Sequence, residues 1–313
     1  MTINPTYDGT FIACADLHLN NRRPLNRFGD YYNQILNKFA QLLGFVKRDS
    51  DLNLAVVAGD FFDSPTVPYK VVRKVIKMIT ECEVEILVVP GQHDLRYHVS
   101  GLDNTPLGVL DASQQVTILR PNKIVTYNGI TFAGAGWDEE PEIKADVLAL
   151  HRMVTKKNPL WEGQKDFSTA GKILKKYPWA KCIISGDNHM PHTFRKNGRI
   201  QINCGSMVRS TKTQINFEPR VYLVNSKTWK IKPLKFKIEP PEDVFDFEKI
   251  KQSEMKQEAK DKAEKLIARF IDTLPNKAKE KPSFKLILKS VIKDVNPNTN
   301  VKKIINKIME TVK

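Results

Sequence analysis

The sequence predicts an α/β fold, and three observations carry that expectation. Short apolar runs bounded by Gly and Pro recur along the first two thirds of the chain: TFIACADLH (10–18), LNLAVVAGDFFD (52–63), VEILVVPGQHD (84–94), ADVLALH (145–151) and KCIISGDNH (181–189). Continuous runs of this length are the signature of strands buried on both faces. The segments between the first of them are amphipathic with a helical period, and alternating strands and helices make an α/β architecture. Each run also ends in Asp, His, Gln or Asn. Ligands of open α/β sheets collect at the carboxyl ends of the strands, so these polar ends point to one shared site.

Taken in order, the first run ends at Asp16 and His18, two residues apart, which lets both side chains lie on one side of an extended strand end. After it, Ile35, Leu36, Phe39, Leu42, Leu43 and Val46 share one helical face. The second run ends in Gly59-Asp60, where glycine allows close backbone approach and aims the carboxylate. Val71, Val72, Val75, Ile76 and Ile79 then stripe a second helix, and the third run breaks at Pro90-Gly91 before Gln92, His93 and Asp94. KIVTYNGITFAGAGW (123–137) reads as a hairpin through Asn128-Gly129. The fourth and fifth runs deliver His151, Asp187 and His189, and RIQINCGSMVRS (199–210) and RVYLVN (220–225) read as further strands.

The texture changes near residue 240. Residues 1–240 form the expected site-bearing domain, and 241–313 a small basic α/β domain. In the latter, Ala263, Leu266, Ile267, Phe270 and Ile271 stripe a helix, SFKLILKSVI alternates as a strand, and a stripe from Val301 to Val312 marks a last helix.

Composition bounds the function. Of 313 residues, 41% are hydrophobic and 27% charged, the balance of a soluble globular protein. No run reaches the roughly 18 apolar residues a membrane span needs. The opening residues MTINPTYDGT lack a basic and apolar leader pattern, so a cytoplasmic location is expected, in a cell or a virus-infected cell. Cys14, Cys82, Cys182 and Cys204 are widely spaced and read as reduced, mostly buried thiols. The formal charge of +15 favours a polyanionic partner over a merely lysine-rich surface.

DLH, GDFFD, GQHD, LALH and GDNH, in this order, resemble the five motifs of the calcineurin-like metallophosphoesterases. GLDNTPLG (101–108) and NCGSMVRSTKTQINFEPRVYLVN (203–225) are similar to the SbcD/Mre11-type DNA-repair nuclease branch of that superfamily. The resemblance implies a double-sheet sandwich flanked by helices, with a small C-terminal capping domain. It implies two divalent cations, one held by Asp16, His18 and His189, the other by His151, Gln92 and Asp187, with Asp60 bridging. His93 becomes the general acid, with Asp94 orienting its ring.

Two departures from the family pattern stand out: Gln92 replaces Asn, and Asp187 replaces His. The second site becomes oxygen-rich, which favours Mn²⁺, or Mg²⁺, over Zn²⁺. Asp63, His98 and His192 are expected near substrate or ligands, and Arg22, Arg23 and Arg96 along the backbone phosphates. Trp137 either stacks on a base or covers a core edge. The function implied is a DNA exonuclease or endonuclease working with an SMC-like ATPase of the Rad50/SbcC type, usually as a homodimer. A phosphatase or small-molecule phosphodiesterase, and a DNA-binding scaffold with a degenerate metal site, are the alternatives.

Overall fold

A computed structural model gives the fold and describes residues 9–98 and 101–273, with the side chains of His98 and of 266–273 outside that description. The expected strand SFKLILKSVI and the helix through Val301 and Val312 also lie outside the described residues.

In chain order the described elements begin with β1 (Thr10–Cys14), α1 (Tyr31–Asp49), β2 (Leu54–Ala58), α2 (Tyr69–Cys82), β3 (Glu85–Val89), α3 (Pro106–Ala112) and β4 (Thr117–Ile118). They continue with β5 (Val125–Tyr127), β6 (Ile130–Ala135), β7 (Val147–Leu150), β8 (Val154–Thr155), β9 (Ser168–Thr169), α4 (Ala170–Lys176) and β10 (Cys182–Ser185). The last are β11 (His192–Lys196), β12 (Arg199–Asn203), β13 (Arg220–Asn225), β14 (Ile231–Lys235), α5 (Pro241–Val244) and α6 (Phe247–Thr273).

The described strands form two six-stranded mixed sheets and one parallel pair, β8-β9. The first has the order β14-β13-β1-β2-β3-β4, with β1, β2, β3 and β4 parallel and β13 and β14 antiparallel to their neighbours. The second has the order β11-β12-β10-β7-β6-β5, parallel from β12 to β6 and closed at each edge by an antiparallel strand.

Why the apolar runs are continuous follows from the packing. Alternate residues of β1 face opposite ways: Phe11 and Ala13 pack between the sheets with Phe132, Val147 and Ile184, whereas Ile12 and Cys14 pack toward α1 and α2. On the other flank Leu148, Leu150 and Ile183 meet Ile173 and Leu174 of α4. Each side chain of this size contributes about 1.5–3 kcal/mol on full burial, which is why these runs are apolar on both faces. The expected sandwich of two sheets flanked by helices is what forms.

Helix α1 buries the expected Ile35, Leu36, Phe39, Leu42, Leu43 and Val46. It is capped by Asp30, whose side chain accepts from Asn33 N at 3.1 Å. In the hairpin, Tyr127 faces Ile130 across Asn128-Gly129, both with positive φ (46° and 79°), as a tight two-residue turn requires. Cys14, Cys182 and Cys204 are buried free thiols, and Cys82 is half-buried.

The chain divides into two compact units, Met1–Phe247 and Glu248–Lys313. Residues 241–247 stay with the first unit because Phe245 is fully buried, pairs with Arg27 in an isolated bridge and lies under the Arg27 and Arg209 guanidiniums. No helix among the described residues is long and apolar enough to cross a membrane.

Candidate metal centre at the seam of two sheets

The parallel strands of both sheets finish at one end of the sandwich, and their first residues beyond the ladder carry the chemistry. Asp16 and His18 follow β1, Asp60 follows β2, Gln92 and His93 follow β3, His151 follows β7, and Asp187 and His189 follow β10. The ends of β1 and β2 continue side by side: Asp16 N donates to Gly59 O (3.0 Å) and His18 N to Asp60 O (2.9 Å).

The turns needed to aim these side chains are left-handed. Asp16, His18, Asp60 and Asp187 have φ of 51°, 47°, 49° and 72°. Such a conformation costs an L-residue about 1–2 kcal/mol, is best tolerated by Asp, Asn and His, and concentrates at functional sites.

Two glycines make room. A Cβ at Gly59 would lie 2.0 Å from His151 Nδ1, and one at Gly91 would lie 2.1 Å from Asp60 Oδ1. Gly59 also has φ +88°, so both space and backbone require glycine there.

Asp16, His18 and His189 form one ligand group, Asp16, Asp60 and His151 a second, and His18, Asp60 and His93 a third, each with its donor atoms within 4.8 Å of one another. The Nε2 atoms of His18 and His189 face each other at 3.1 Å. Asp60 Oδ2 sits between the halves, 3.7 Å from His18 Nε2 and 3.4 Å from His151 Nε2. Its Oδ1 accepts from His93 N at 3.0 Å. Asp16 Oδ1 accepts from Asp187 N at 2.9 Å, and Asp16 Oδ2 and Asp60 Oδ2 are buried with no hydrogen-bond partner among the described residues.

Gln92 Oε1 lies 2.6 Å from His151 Nε2, and Gln92 Nε2 donates to Asp187 Oδ1 at 3.0 Å. Gln92 therefore presents its carbonyl oxygen to the site, and Asp187 holds the amide that way round. Asp187 belongs to none of the three ligand groups. His151 is fixed from behind, its Nδ1 2.8 Å from Ala58 O, which leaves Nε2 aimed inward.

The electrostatics are those of carboxylates held out of water. Burial raises the Asp16 carboxyl to about 7. Burial lowers the His18 and His151 imidazoles, but the Asp63 hydrogen bond with the Asp60 and Asp16 charges brings His18 to about 9, and Asp60 chiefly brings His151 to about 10. Burial also raises Asp60, but the imidazoles of His151, His18 and His93 hold it below the usual carboxylate range. Burial and the neighbouring His18 push His189 down to about 4.

Buried carboxylates need compensating positive charge, from protons or from cations. Two unpartnered carboxylate oxygens, inward-aimed imidazole nitrogens and a central Asp60 fit divalent cations with nitrogen and oxygen donors.

Asp94 requires a correction. It does not orient the His93 ring. Its carboxylate accepts from Phe61 N (3.1 Å), Phe62 N (2.8 Å) and Gly91 N (3.0 Å), pinning the loop after β3 to the loop after β2. Burial and the nearby Asp60 raise it to about 6 against those three donors. The His93 ring is held instead by the Asp63 carbonyl oxygen, 2.9 Å from Nδ1. Asp63 serves two imidazoles, since its carboxylate also lies 3.2 Å from His18 Nδ1.

Arg22, Arg23, Arg96 and His93 are exposed. His192 lies on β11 opposite Asn203, and the side chain of His98 is outside the described residues. Trp137 is half-buried, with its ring centroid 6.4 Å from that of His151. It lines a cavity of about 640 Å³ with Pro90, Leu95, Leu102 and Val109.

Two asparagines escape sequence reasoning. Asn203, fully buried at the end of β12, donates to the carbonyl oxygens of Asn188 (2.5 Å) and Met190 (2.9 Å), on either side of His189. Asn188 donates to Val154 O at 2.7 Å and accepts from Met190 N at 3.0 Å, closing the turn that carries His189. Asn188 is visible in the GDNH motif, but nothing in the sequence marks Asn203.

A family model described as calcineurin-like phosphoesterase matches residues 9–197. No curated protein matches the sequence significantly. Among solved structures, a protein of Thermus thermophilus is similar at 11% identity and a TM-score of 0.45, over 72% of this chain and 98% of that one. A structure described as a novel archaeal phosphodiesterase has 12% identity and a TM-score of 0.42, over 72% and 99%. A putative 5′-nucleotidase from Staphylococcus aureus has 13% identity and a TM-score of 0.44, over 74% and 56%.

Proposed function

Since this chain belongs to the calcineurin-like phosphoesterases, we propose that it is a phosphodiesterase requiring two divalent cations, Mn²⁺ or Mg²⁺, and acting on DNA. The observation that carries the reading is Asp60 Oδ2, unpartnered and set between the inward nitrogens of His18 and His151, with ligands arriving from both sheets. DNA as substrate is supported by the +15 charge, by exposed Arg22, Arg23 and Arg96 near the site loops, and by the resemblance of residues 203–225 to the DNA-repair branch. The same resemblance supports an SMC-like ATPase partner and a homodimer.

Asp16, His18 and His189 would hold one cation and His151 with Gln92 Oε1 the other, with Asp60 shared and Asp187 positioning the Gln92 amide. When bound, the two cations supply the positive charge that a phosphodiester needs and the Lewis acidity that makes water nucleophilic at neutral pH. His93 stands at the exposed lip of this buried group. Its Nδ1–H donates to the Asp63 carbonyl, which fixes the ring and leaves Nε2 to deliver a proton to the departing sugar oxygen.

The test is end-labelled single- and double-stranded DNA, with bis(p-nitrophenyl) phosphate in parallel, incubated in Mn²⁺ with wild type, Asp60→Asn and His93→Ala. Asp60→Asn should lose both activities. His93→Ala should lose DNA cleavage and keep p-nitrophenolate release, because that leaving group departs without a proton. Rapid hydrolysis of phosphate monoesters with DNA left intact would overturn the assignment in favour of a phosphatase.

A further inference from the structure

A second concave surface is built from the chain that follows two of the ligands. Beyond His151 the backbone passes through β8 and turns at Lys156, Lys157 and Asn158. Beyond His189 it passes Met190 and Pro191 into β11 at His192. Together these segments line an open, shallow cavity of about 420 Å³.

Its chemistry differs from that of the larger cavity beside Trp137, whose wall includes Asp103, Asp111, Glu139 and Glu142 and so repels anions. Among the described residues no carboxylate lines the smaller one. Lys156 and Lys157 are exposed and form no salt bridge among the described residues, unlike Lys176, which is engaged by Glu140 at 2.8 Å. Thr155 is 1% exposed, yet its Oγ1 has no hydrogen-bond partner among the described residues. A buried hydroxyl left unpartnered is destabilising, so it is the kind of group a ligand oxygen completes. Burial lowers the His192 imidazole, which keeps it neutral on the inner wall. Leu160 and Met190, both more than two-fifths exposed, give the cavity an apolar rim.

We propose that this cavity seats a nucleotide unit of the substrate strand next to the scissile phosphate, its phosphate between Lys156, Lys157 and the Thr155 hydroxyl and its sugar and base against Met190 and Leu160. The inference rests on the phosphodiesterase reading and adds the subsite that reads a polymer. Both of its segments lead directly from metal ligands, so an occupant is held in register with the reacting centre.

The test measures binding apart from turnover. Anisotropy of a labelled single-stranded oligothymidylate, in Ca²⁺ buffer over a salt series, is compared for full-length wild type, Lys156→Ala/Lys157→Ala, Thr155→Val and Arg73→Ala/Lys74→Ala. The last pair removes the same charge from the exposed face of α2. Each single-strand phosphate contact contributes about 0.7 to the slope of log Kd against log salt. Removing the pocket lysine pair, which shares one phosphate, should therefore lower that slope by about 0.7 and weaken binding about 5-fold at 0.1 M salt. Thr155→Val should weaken binding without changing the slope, and the α2 pair should change neither.

Equal effects of the two charge-removing pairs, or none from the pocket pair, would overturn the proposal. So would competition by inorganic phosphate as strong as that by adenosine monophosphate. Turnover of bis(p-nitrophenyl) phosphate by the wild type reports separately on the enzyme reading. A protein that hydrolyses no phosphodiester but loses strand binding in the pocket variants refutes the enzyme and leaves the subsite standing.

Discussion

Gly59 is where the strand architecture and the metal centre interlock, and Gly59→Ala puts a number on it. The added Cβ would lie 2.0 Å from Nδ1, 2.3 Å from Cγ and 2.7 Å from Cβ of His151. The ring has no retreat: it is buried, with Nδ1 on Ala58 O and Nε2 against Gln92 Oε1. Placing a Cβ at φ +88° costs about 1–2 kcal/mol. Displacing the imidazole from its backbone acceptor adds about 1–3 kcal/mol for the buried groups left unpaired.

The total, about 2–5 kcal/mol, is a large share of the roughly 5–15 kcal/mol that holds a domain folded. Gly129→Ala is the internal reference, because that residue has φ +79° and no described atom within 4 Å of a built Cβ, so it bears the backbone strain alone. Urea unfolding of both variants in EDTA, read as midpoint shifts at constant m, separates the two contributions. Equal destabilisation by the two substitutions would refute the argument that Gly59 exists to admit His151.

Further expectations concern the surrounding shell. Asp94→Asn removes acceptor capacity facing the N–H groups of Phe61, Phe62 and Gly91 and should cost about 2–4 kcal/mol in urea unfolding; an unchanged midpoint would contradict the role given to that carboxylate. Asn203→Ala frees the turn around His189 and should weaken Mn²⁺ binding about 10–100-fold by isothermal titration, against no change if the turn holds itself. Metal binding must displace the protons that the metal-free site retains, with Asp16 raised to about 7 and His18 to about 9. Both groups ligate only when deprotonated, so Mn²⁺ affinity should tighten from pH 6 to pH 8 with release of protons, and a flat or inverted profile would refute that coupling.

Much of this was legible because burial leaves a plain record. LAVVA is buried at every position of β2 and EILVV at all but its first in β3, so the runs and their ends stand out in the sequence. The Asn128-Gly129 turn was legible for a local reason, since Asn-Gly is the pair that tolerates two successive positive φ angles. Helices α3 and α4 were not, since seven residues make two turns and too short a stripe to show a period. The role of Asp94 was misread because adjacency to His93 cannot tell whether a carboxylate faces a neighbouring ring or the backbone of another loop. Asn203 was invisible because its partners lie on the turn 188–190, joined to it by folding alone.

The division of the ligands between the sheets has a consequence for the order of assembly. Asp16, His18, Asp60 and Gln92 leave the ribosome with the first sheet's parallel strands, whereas His151 and His189 come from strands made later, and β13, which pairs with β1, later still. A nascent chain that has docked only its early strands holds four of the six candidate ligands. A cation held by residues of both sheets would therefore complete its coordination only once the later strands have been made and docked.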